Sequence, residues 1–161
     1  MLNEVLENTE RFMSSVPKAK RKKYGQFFTN ATTAKFMASL FCFDLSKKQV
    51  DILDAGAGTG ILAAAVVQKL LESGYRGAIH ITCYETDELV LPLLEENMIL
   101  CNKLHNVSYT IKRENYITSQ NFSGYTLFNN ENYQYDYIIG NPPYMKIAKD
   151  AAEALAIPEV C

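Results

Sequence analysis

Short apolar segments alternate with amphipathic segments from residue 30 onward, and this alternation constrains the fold more than any other feature. The apolar segments that predict strands are 50–54, 78–84, 107–111 and 135–139. The segments that predict helices are 32–45, 61–71 and 87–101, the first with an apolar face of Phe36, Met37, Leu40 and Phe41. Gly74 would end the second helix, and Pro92 would kink or begin the third. The polar stretch 116–134 contains a short helix or is a functional loop. Strands separated by helices favour parallel βαβ units with right-handed crossovers, so we expect an α/β fold with a parallel sheet. Ligands of such sheets bind beyond the carboxyl ends of the strands.

The residues before this alternation form a separate N-terminal region. Leu2 to Val16 has the spacing of an amphipathic helix that ends near Pro17, and it packs either on the domain or on a partner. Five cations follow within six residues, namely Lys18, Lys20, Arg21, Lys22 and Lys23. They form either a solvated linker or a phosphate-contacting segment beside a binding cleft. We therefore divide the chain into residues 1–23, the N-terminal helix and basic linker, and residues 24–161, the α/β domain.

Composition and spacing exclude several classes of protein. No apolar run approaches the roughly 20 residues of a membrane helix, and the N-terminus lacks the pattern of a secretion signal. A net charge of −2 excludes binding to nucleic acid by bulk charge alone. The cysteines and histidines have no zinc-binding spacing, so we expect no metal site. Cys83 and Cys101 lie in apolar runs, which predicts reduced core thiols and a cytoplasmic protein.

The first candidate site is the glycine-rich segment from Asp54 to Gly60, which joins the first strand to a helix. Its glycines allow a tight turn and allow a ligand to approach the bare main chain. A plain strand-to-helix turn is the simpler interpretation, but an acidic residue before three alternating glycines makes it less favoured. Dinucleotide-binding proteins need GxGxxG, whereas this segment has GxGxG followed by Ile61.

Two carboxylates follow the second strand. Glu85 lies about 20 to 30 residues beyond the glycines, where a carboxylate can accept hydrogen bonds from both hydroxyls of a ribose. Asp87 could do the same, but it also suits the N-cap of the helix that follows. We therefore assign the ribose to Glu85 and the cap to Asp87.

The most specific motif is Asn141-Pro142-Pro143-Tyr144, directly after the last predicted strand. At roughly 5% usage of each residue type, four such positions match by chance about once in 100,000 windows. An amino nitrogen conjugated to a ring is a poor nucleophile because its lone pair is delocalised. The Asn141 side-chain oxygen and the Pro142 carbonyl can each accept one of its N–H groups and draw it toward tetrahedral geometry. The two prolines hold that carbonyl outward, and Tyr144 offers a flat face for a planar base.

Taken together, these motifs resemble those of the amino-methylating DNA methyltransferases. The match is best with the N6-adenine enzymes in which the cofactor half comes first, the Eco57I-type restriction–modification methylases. The resemblance covers residues 24 to about 147 and includes Tyr24-Gly25-Gln26-Phe27-Phe28-Thr29, which looks like motif X of that family. It implies a Rossmann-like S-adenosylmethionine-dependent methyltransferase fold, here as a truncated three-layer parallel sheet. Residues 24–161 would then be the N-terminal part of the catalytic domain.

The resemblance also implies the ligands and the residues that hold them. The cofactor would be S-adenosyl-L-methionine, bound by Thr29, Asp54, Ala55, Gly56, Gly58, Glu85, Thr86, Asn115 and Tyr116. Thr29 would hold the methionine carboxylate, and Asn115 with Tyr116 would contact the adenine. Asn115 replaces the Asp that is usual in the family, so an ordinary loop remains an alternative there. Asn141, Pro142 and Tyr144 would be catalytic, and with Pro143 they would hold an adenine flipped out of double-stranded DNA.

The chain departs from the family in length, because only 17 residues follow Tyr144. Members of the family continue with more strands and a domain that reads the DNA sequence. We therefore expect a fragment that lacks sequence-specific recognition and that a C-terminal half or a partner chain completes. The alternatives are a methyltransferase acting on an RNA base or on a protein glutamine, and a non-catalytic half of a split enzyme.

Overall fold

Four parallel strands form a single sheet in the part of the chain that the structure describes. The computed structural model describes residues 1–19, 29–119, 135–142 and 151–156. The strands are β1 (Gln49–Asp54), β2 (Ala78–Tyr84), β3 (Val107–Lys112) and β4 (Tyr137–Ile139). They lie in the order β3-β2-β1-β4, and every neighbouring pair is parallel. The predicted parallel α/β fold is therefore confirmed.

The helices enclose an apolar core against this sheet. They are α1 (Leu2–Ser15), α2 (Ala31–Ser39), α3 (Ile61–Glu72), α4 (Leu91–Asn102), α5 (Tyr116–Ser119) and α6 (Ala152–Ala156). Eight of the 12 residues of α3 are buried, because that helix packs against the sheet, α1, α2 and α4. It ends where the sequence predicts, since Gly74 adopts a φ of +93° and its N–H donates to the carbonyl of Leu71.

Helix α1 packs on the domain itself, which decides between the two possibilities that the sequence leaves open. Its buried residues Leu2, Val5 and Thr9 recur at helical spacing and form one face. That face contacts α3 and α4. Of the five cations that follow α1, only Lys18 falls within the described residues, where it is exposed.

Helix α2 is shorter than predicted, and two of the four residues of the predicted apolar face do not reach the core. It ends at Ser39, whose hydroxyl donates to the carbonyl of Phe36 at 2.7 Å, and not at residue 45. Phe36 and Leu40 from the predicted apolar face are 62% and 66% exposed, whereas Ala34 and Ala38 are buried. Met37 and Phe41 from the predicted face also pack against the core, so the prediction was wrong for Phe36 and Leu40 only.

Helix α4 begins at Leu91 and not at the predicted Asp87. Pro92 occupies its first turn, where the missing N–H costs no helical hydrogen bond. The Asp87 carboxylate accepts from the backbone N–H of Leu89 at 2.8 Å, so it stabilises the turn that precedes the helix. The assignment of Asp87 to the helix N-cap was therefore wrong, because Val90 is the N-cap, whereas a helix start at Pro92 is confirmed by its place in the first turn.

Strand β4 is fixed at its start by polar and aromatic contacts, and it begins two residues later than predicted. The N–H of Asp136 donates to the Asp51 carbonyl at 2.8 Å, and the Asp136 carboxylate accepts from the Asp51 N–H at 3.0 Å. The Tyr137 ring meets two phenylalanine rings edge-on, at centroid distances of 5.7 Å for Phe41 and 5.0 Å for Phe43. These contacts position residues 140–142 beyond the carboxyl end of the sheet.

Some predictions fall outside the described residues. They concern the cations at positions 20–23, the segment 24–28, the end of the polar stretch 116–134, Pro143 and Tyr144. The start of that polar stretch forms the short helix α5. No helix within the described ranges is long and apolar enough to cross a membrane. Those same ranges contain no group of three or more side chains arranged to hold a metal ion.

Candidate active site

Three of the predicted motifs meet at the carboxyl edge of the sheet. The register pairs Asp54 at the end of β1 with Cys83 of β2 and with Ile139 of β4. The glycine-rich segment, Glu85 and Asn141 therefore leave neighbouring strands at the same level. Parallel strands bring such segments together, which is why the expected location of the site follows from the topology.

The glycine loop, residues 54–60, has the backbone that its sequence predicts. Gly58 and Gly60 adopt positive φ angles of +53° and +78°, which residues with side chains rarely do. A Cβ added at Gly56 or Gly58 would meet nothing within 4 Å, so the main chain there borders open space. At Gly60 the added atom would lie 2.7 Å from the Met98 side chain, so this glycine allows α4 to approach closely.

Asp54 carries an unusual carboxyl group for a buried position. The residue is fully buried, and neither carboxyl oxygen makes a hydrogen bond to any described residue. Burial raises the pKa of Asp54 from 3.8 to about 7, although the nearby backbone N–H groups of Ala63 and Gly56 lower it. Those two N–H groups lie near the carboxyl oxygens without forming well-aligned hydrogen bonds. A buried carboxyl without a partner suits a cationic ligand, because burying an unpaired charge is costly.

Glu85 joins the end of β2 to the glycine loop. One carboxylate oxygen accepts from the Gly58 N–H at 2.8 Å. The other oxygen accepts from the N–H groups of Thr86 and Asp87 at 2.7 and 2.8 Å. Ala57 adds a second link, because its N–H donates to the Tyr84 carbonyl at 2.9 Å. The loop is thereby held against the end of β2 before any ligand arrives.

Asn115 and Tyr116 follow β3 at the same edge. The Asn115 side-chain oxygen accepts from the Ile117 N–H at 2.9 Å, and its nitrogen donates to Glu153 at 2.9 Å. These bonds stabilise the start of α5 and connect it to α6. The Tyr116 ring packs edge-on against Tyr84, with centroids 5.0 Å apart. Both side chains therefore have protein partners that account for their positions without a ligand.

Thr29 and Asn141 are brought together although 112 residues separate them. The Asn141 side-chain nitrogen donates to the Thr29 hydroxyl at 3.0 Å. Thr29 is buried, Asn141 is half-buried and Pro142 is exposed. The bond turns the amide nitrogen of Asn141, and not its oxygen, toward Thr29. A residue predicted at the methionine end of the cofactor thus contacts one predicted to hold the methyl acceptor.

The remaining predicted residues lie on the same loops. Ala55 is half-buried in the glycine loop, and Thr86 is exposed beside Glu85. Sequence reasoning missed two buried polar side chains behind the loop, Thr9 of α1 and Asn97 of α4. Both donate to Thr59 within the loop, and only their position as polar residues on otherwise apolar helical faces could have signalled them.

The sheet order, the glycine loop after β1 and the acid after β2 define the class I S-adenosylmethionine-dependent methyltransferase fold. The structure superimposes on a solved class I S-adenosylmethionine-dependent methyltransferase from Listeria monocytogenes with a TM-score of 0.65 and 17% identity. That superposition covers 98% of this chain and 44% of the other. Within this class, the chain belongs to the N-6 DNA methylase family, whose model matches residues 5–154.

Curated relatives extend over much greater lengths. The type II methyltransferase M.PstI of Providencia stuartii is 32% identical over 151 residues, which is 91% of this chain and 29% of that protein. M.BsuBI of Bacillus subtilis, also a type II methyltransferase, is 30% identical over 93% of this chain and 30% of its own length. A release factor glutamine methyltransferase of Fusobacterium nucleatum is 35% identical over 74% of this chain and 28% of that protein. The chain therefore spans less than a third of these relatives.

Proposed function

We propose that this chain supplies the cofactor-binding and methyl-acceptor sites of an adenine-specific DNA methyltransferase that acts on the N6 amino group. The observation that carries the proposal is the bond between Asn141 and Thr29, which joins the acceptor motif to the expected methionine end of the cofactor site. Membership of the N-6 DNA methylase family supports adenine in DNA as the substrate. The likeness to type II methyltransferases supports a place in a restriction–modification system.

The residues at the carboxyl edge fit S-adenosyl-L-methionine. When bound, this cofactor supplies an electrophilic methyl group on a sulfonium. Its methionine portion carries an ammonium, which matches the Asp54 carboxyl, a group that accepts no hydrogen bond within the described part of the chain. The open space at Gly56 and Gly58 allows a ligand to lie against the main chain. A dinucleotide fits less well, because the Gly58 N–H already donates to Glu85 and a pyrophosphate would meet that carboxylate charge.

Glu85 would bind the ribose, and its existing bonds limit how it does so. A carboxylate offers about four lone-pair positions, and three of them already accept backbone N–H groups. One ribose hydroxyl can therefore be added on the oxygen that faces Gly58. A second hydroxyl would displace one of these N–H groups. Asn115 would likewise exchange a protein partner for the adenine, with Tyr116 beside it.

Asn141 and Pro142 would align the acceptor nitrogen. The Asn141 oxygen and the Pro142 carbonyl each accept one amino N–H, which localises the nitrogen lone pair and directs it at the methyl carbon. The bond to Thr29 fixes the orientation of the Asn141 amide. After transfer the nitrogen is cationic and acidic, so water can remove its proton and no general base is required. Pro143 and Tyr144 would complete the pocket by holding the flipped base.

A protein glutamine is the second candidate acceptor. The 35% identity to a release factor glutamine methyltransferase supports it, and an amide nitrogen needs the same two acceptors as an adenine amino group. DNA is favoured because the type II methyltransferases match 91% and 93% of this chain, compared with 74% for the glutamine enzyme. In the working enzyme the partners would be double-stranded DNA and a C-terminal half, in the same or another chain. Its compartment would be the cytoplasm.

The test is transfer of a tritiated methyl group from S-adenosylmethionine to three acceptors. These are an adenine-containing DNA duplex, an RNA duplex of the same sequence and a translation release factor. The chain is assayed alone and together with the C-terminal region of M.PstI as a separate polypeptide. Formation of N6-methyladenine in DNA under either condition supports the proposal. Transfer to the release factor or the RNA, with none to DNA, would replace it.

A further inference from the structure

The glycine loop is held at Thr59 by side chains from two helices. The Thr9 hydroxyl of α1 donates to the Thr59 hydroxyl at 3.0 Å. The Asn97 side chain of α4 donates to the Thr59 carbonyl at 2.8 Å and accepts from Asn8 of α1 at 3.0 Å. Thr9, Thr59 and Asn97 are 2%, 1% and 0% exposed, so water does not compete for the two bonds to Thr59. We refer to Asn8, Thr9, Thr59 and Asn97 as the polar brace.

Simple helix packing does not require these polar residues. The neighbouring positions on the same faces are apolar, including Val5 on α1 and both Leu94 and Met98 on α4. Aliphatic side chains could fill the positions of Thr9 and Asn97, whereas buried polar groups are costly unless they are satisfied. Their directional bonds converge on one residue of the loop, which indicates a role in setting the conformation of that residue.

Thr59 is the residue of the loop that most needs an external constraint. It lies between Gly58 and Gly60, which both adopt positive φ angles. Glycine has the most flexible backbone of all residues, so neither neighbour restrains Thr59. The Asn97 bond fixes the direction of the Thr59 carbonyl, and hence the peptide that leads into α3. The N–H of the adjacent Gly58 must point at Glu85 to form the hydrogen bond that holds the loop against the end of β2. A loop ordered in advance binds a ligand more tightly, because less conformational entropy is lost on binding.

We propose that α1 and α4 position the cofactor loop through the polar brace, with Thr9 and Asn97 as positioning residues for cofactor affinity. This inference rests on the proposed function, because it takes the ligand of the loop to be an S-adenosyl cofactor. Neither residue touches the ligand. Their effect is transmitted through Thr59 to Gly58 and its bond with Glu85. The N-terminal helix is thereby part of the binding apparatus as well as of the core.

The test compares brace variants with a variant that only loosens the same helix. Thr9→Val removes the hydroxyl at nearly constant shape, and Asn97→Leu removes the amide. Val5→Ala is the matched control, because Val5 is fully buried on α1 and makes no bond to the loop. The dissociation constant of S-adenosylhomocysteine is measured by calorimetry at a temperature where every variant is folded. We expect Thr9→Val and Asn97→Leu to weaken binding about three- to tenfold each.

The control and a rescue separate positioning from general stability. Val5→Ala should lower the melting temperature at least as much as Thr9→Val, yet keep the affinity within about twofold of the wild type. Thr9→Ser should restore the affinity, because it restores the hydroxyl. Unchanged affinity in Thr9→Val would overturn the inference. So would affinities that fall together with the melting temperature in every variant, Val5→Ala included. Thr9→Val is the milder substitution, so it alone is sufficient for the test if Asn97→Leu does not fold.

A second measurement keeps the inference distinct from the proposed function. Amide hydrogen exchange of residues 56–61 is recorded without any ligand. The brace variants should exchange faster than the wild type across this segment, whereas Val5→Ala should not. Faster exchange in a protein whose wild type binds no S-adenosylhomocysteine would remove the cofactor assignment and leave the ordering role of the brace intact. Equal exchange in all variants would contradict the brace, whatever the wild type binds.

Discussion

Replacing Asp54 by asparagine should make the protein more stable and its ligand site weaker. Burial raises the pKa of Asp54 from 3.8 to about 7. The raised pKa means that the folded state holds the proton more tightly than the unfolded state does. The stability from this group is therefore complete below pH 3.8 and is lost as the pH rises through about 7. The difference between a pKa of 3.8 and one of about 7 corresponds to roughly 4 kcal/mol, which is an upper bound for the loss of stability.

The assay is urea unfolding followed by circular dichroism between pH 4.5 and 8. Because Asp54→Asn cannot titrate, its advantage in free energy of unfolding over the wild type should grow by about 2–4 kcal/mol across this range. Asp51→Asn is the control, since Asp51 is a half-buried residue of the same strand whose carboxylate accepts from the Gln49 side chain. A difference that does not change with pH, or a variant less stable than the wild type at pH 8, would refute the reasoning.

The same substitution tests the role of Asp54 in binding. An ionised carboxyl attracts the ammonium of the cofactor, so wild-type affinity for S-adenosylhomocysteine should rise between pH 6 and 8. Asp54→Asn should bind more weakly at pH 8 and should lack this dependence. Greater stability together with weaker binding is the combination expected of a residue kept for function. Equal affinity of wild type and variant at pH 8 would mean that Asp54 does not face the ligand.

Three further substitutions test other parts of the account. Gly58→Ala should lower stability by about 1 kcal/mol and weaken S-adenosylhomocysteine binding, because an alanine is strained at a φ of +53°; thermal melts and calorimetry measure both, and unchanged affinity would contradict the loop assignment. Asn141→Ala should abolish methyl transfer in a complete enzyme and keep cofactor affinity within a few-fold; a large loss of affinity would assign Asn141 to the cofactor pocket. Tyr137→Ala should lower the free energy of unfolding by about 2–4 kcal/mol through lost packing with Phe41 and Phe43; a change below about 0.5 kcal/mol in urea titrations would show that this cluster does not secure β4.

The strands, and the meeting of the motifs at one edge of the sheet, were predictable because their signals are local. The bounds of β2 agree with the predicted 78–84, since a buried parallel strand is a mostly apolar run between turns. Gly74 and Pro92 mark helix ends through their own backbone properties. The Asp54 and Asn141 motifs follow strands directly, so a parallel sheet places them at one edge. Cys83 and Cys101 are free and buried, as their apolar surroundings predict.

The errors arise where tertiary contacts override local pattern. The spacing of Phe36 and Leu40 suggested a core-facing stripe, but the core accepts the alanines of α2 and leaves these two residues exposed. Asp87 suits a helix cap by type, yet Pro92 sets the start of the helix one turn later. The bonds from Asn141 to Thr29 and from Thr9 to Thr59 span 112 and 50 residues. No local pattern marks such pairs, because each requires the complete packing of the domain.

The most direct test of the central claim is a calorimetric titration of this chain with S-adenosylhomocysteine, repeated with NAD under the same conditions. The carboxyl-edge site predicts saturable binding of one S-adenosylhomocysteine per chain and no binding of NAD. Three residues supply the reasons. Asp54 offers a carboxyl with no hydrogen-bond partner among the described residues, and Gly58 offers a bare main chain. The Gly58 N–H already donates to Glu85, whose charge disfavours a pyrophosphate. A folded chain that binds NAD, or that binds neither ligand, would contradict the account.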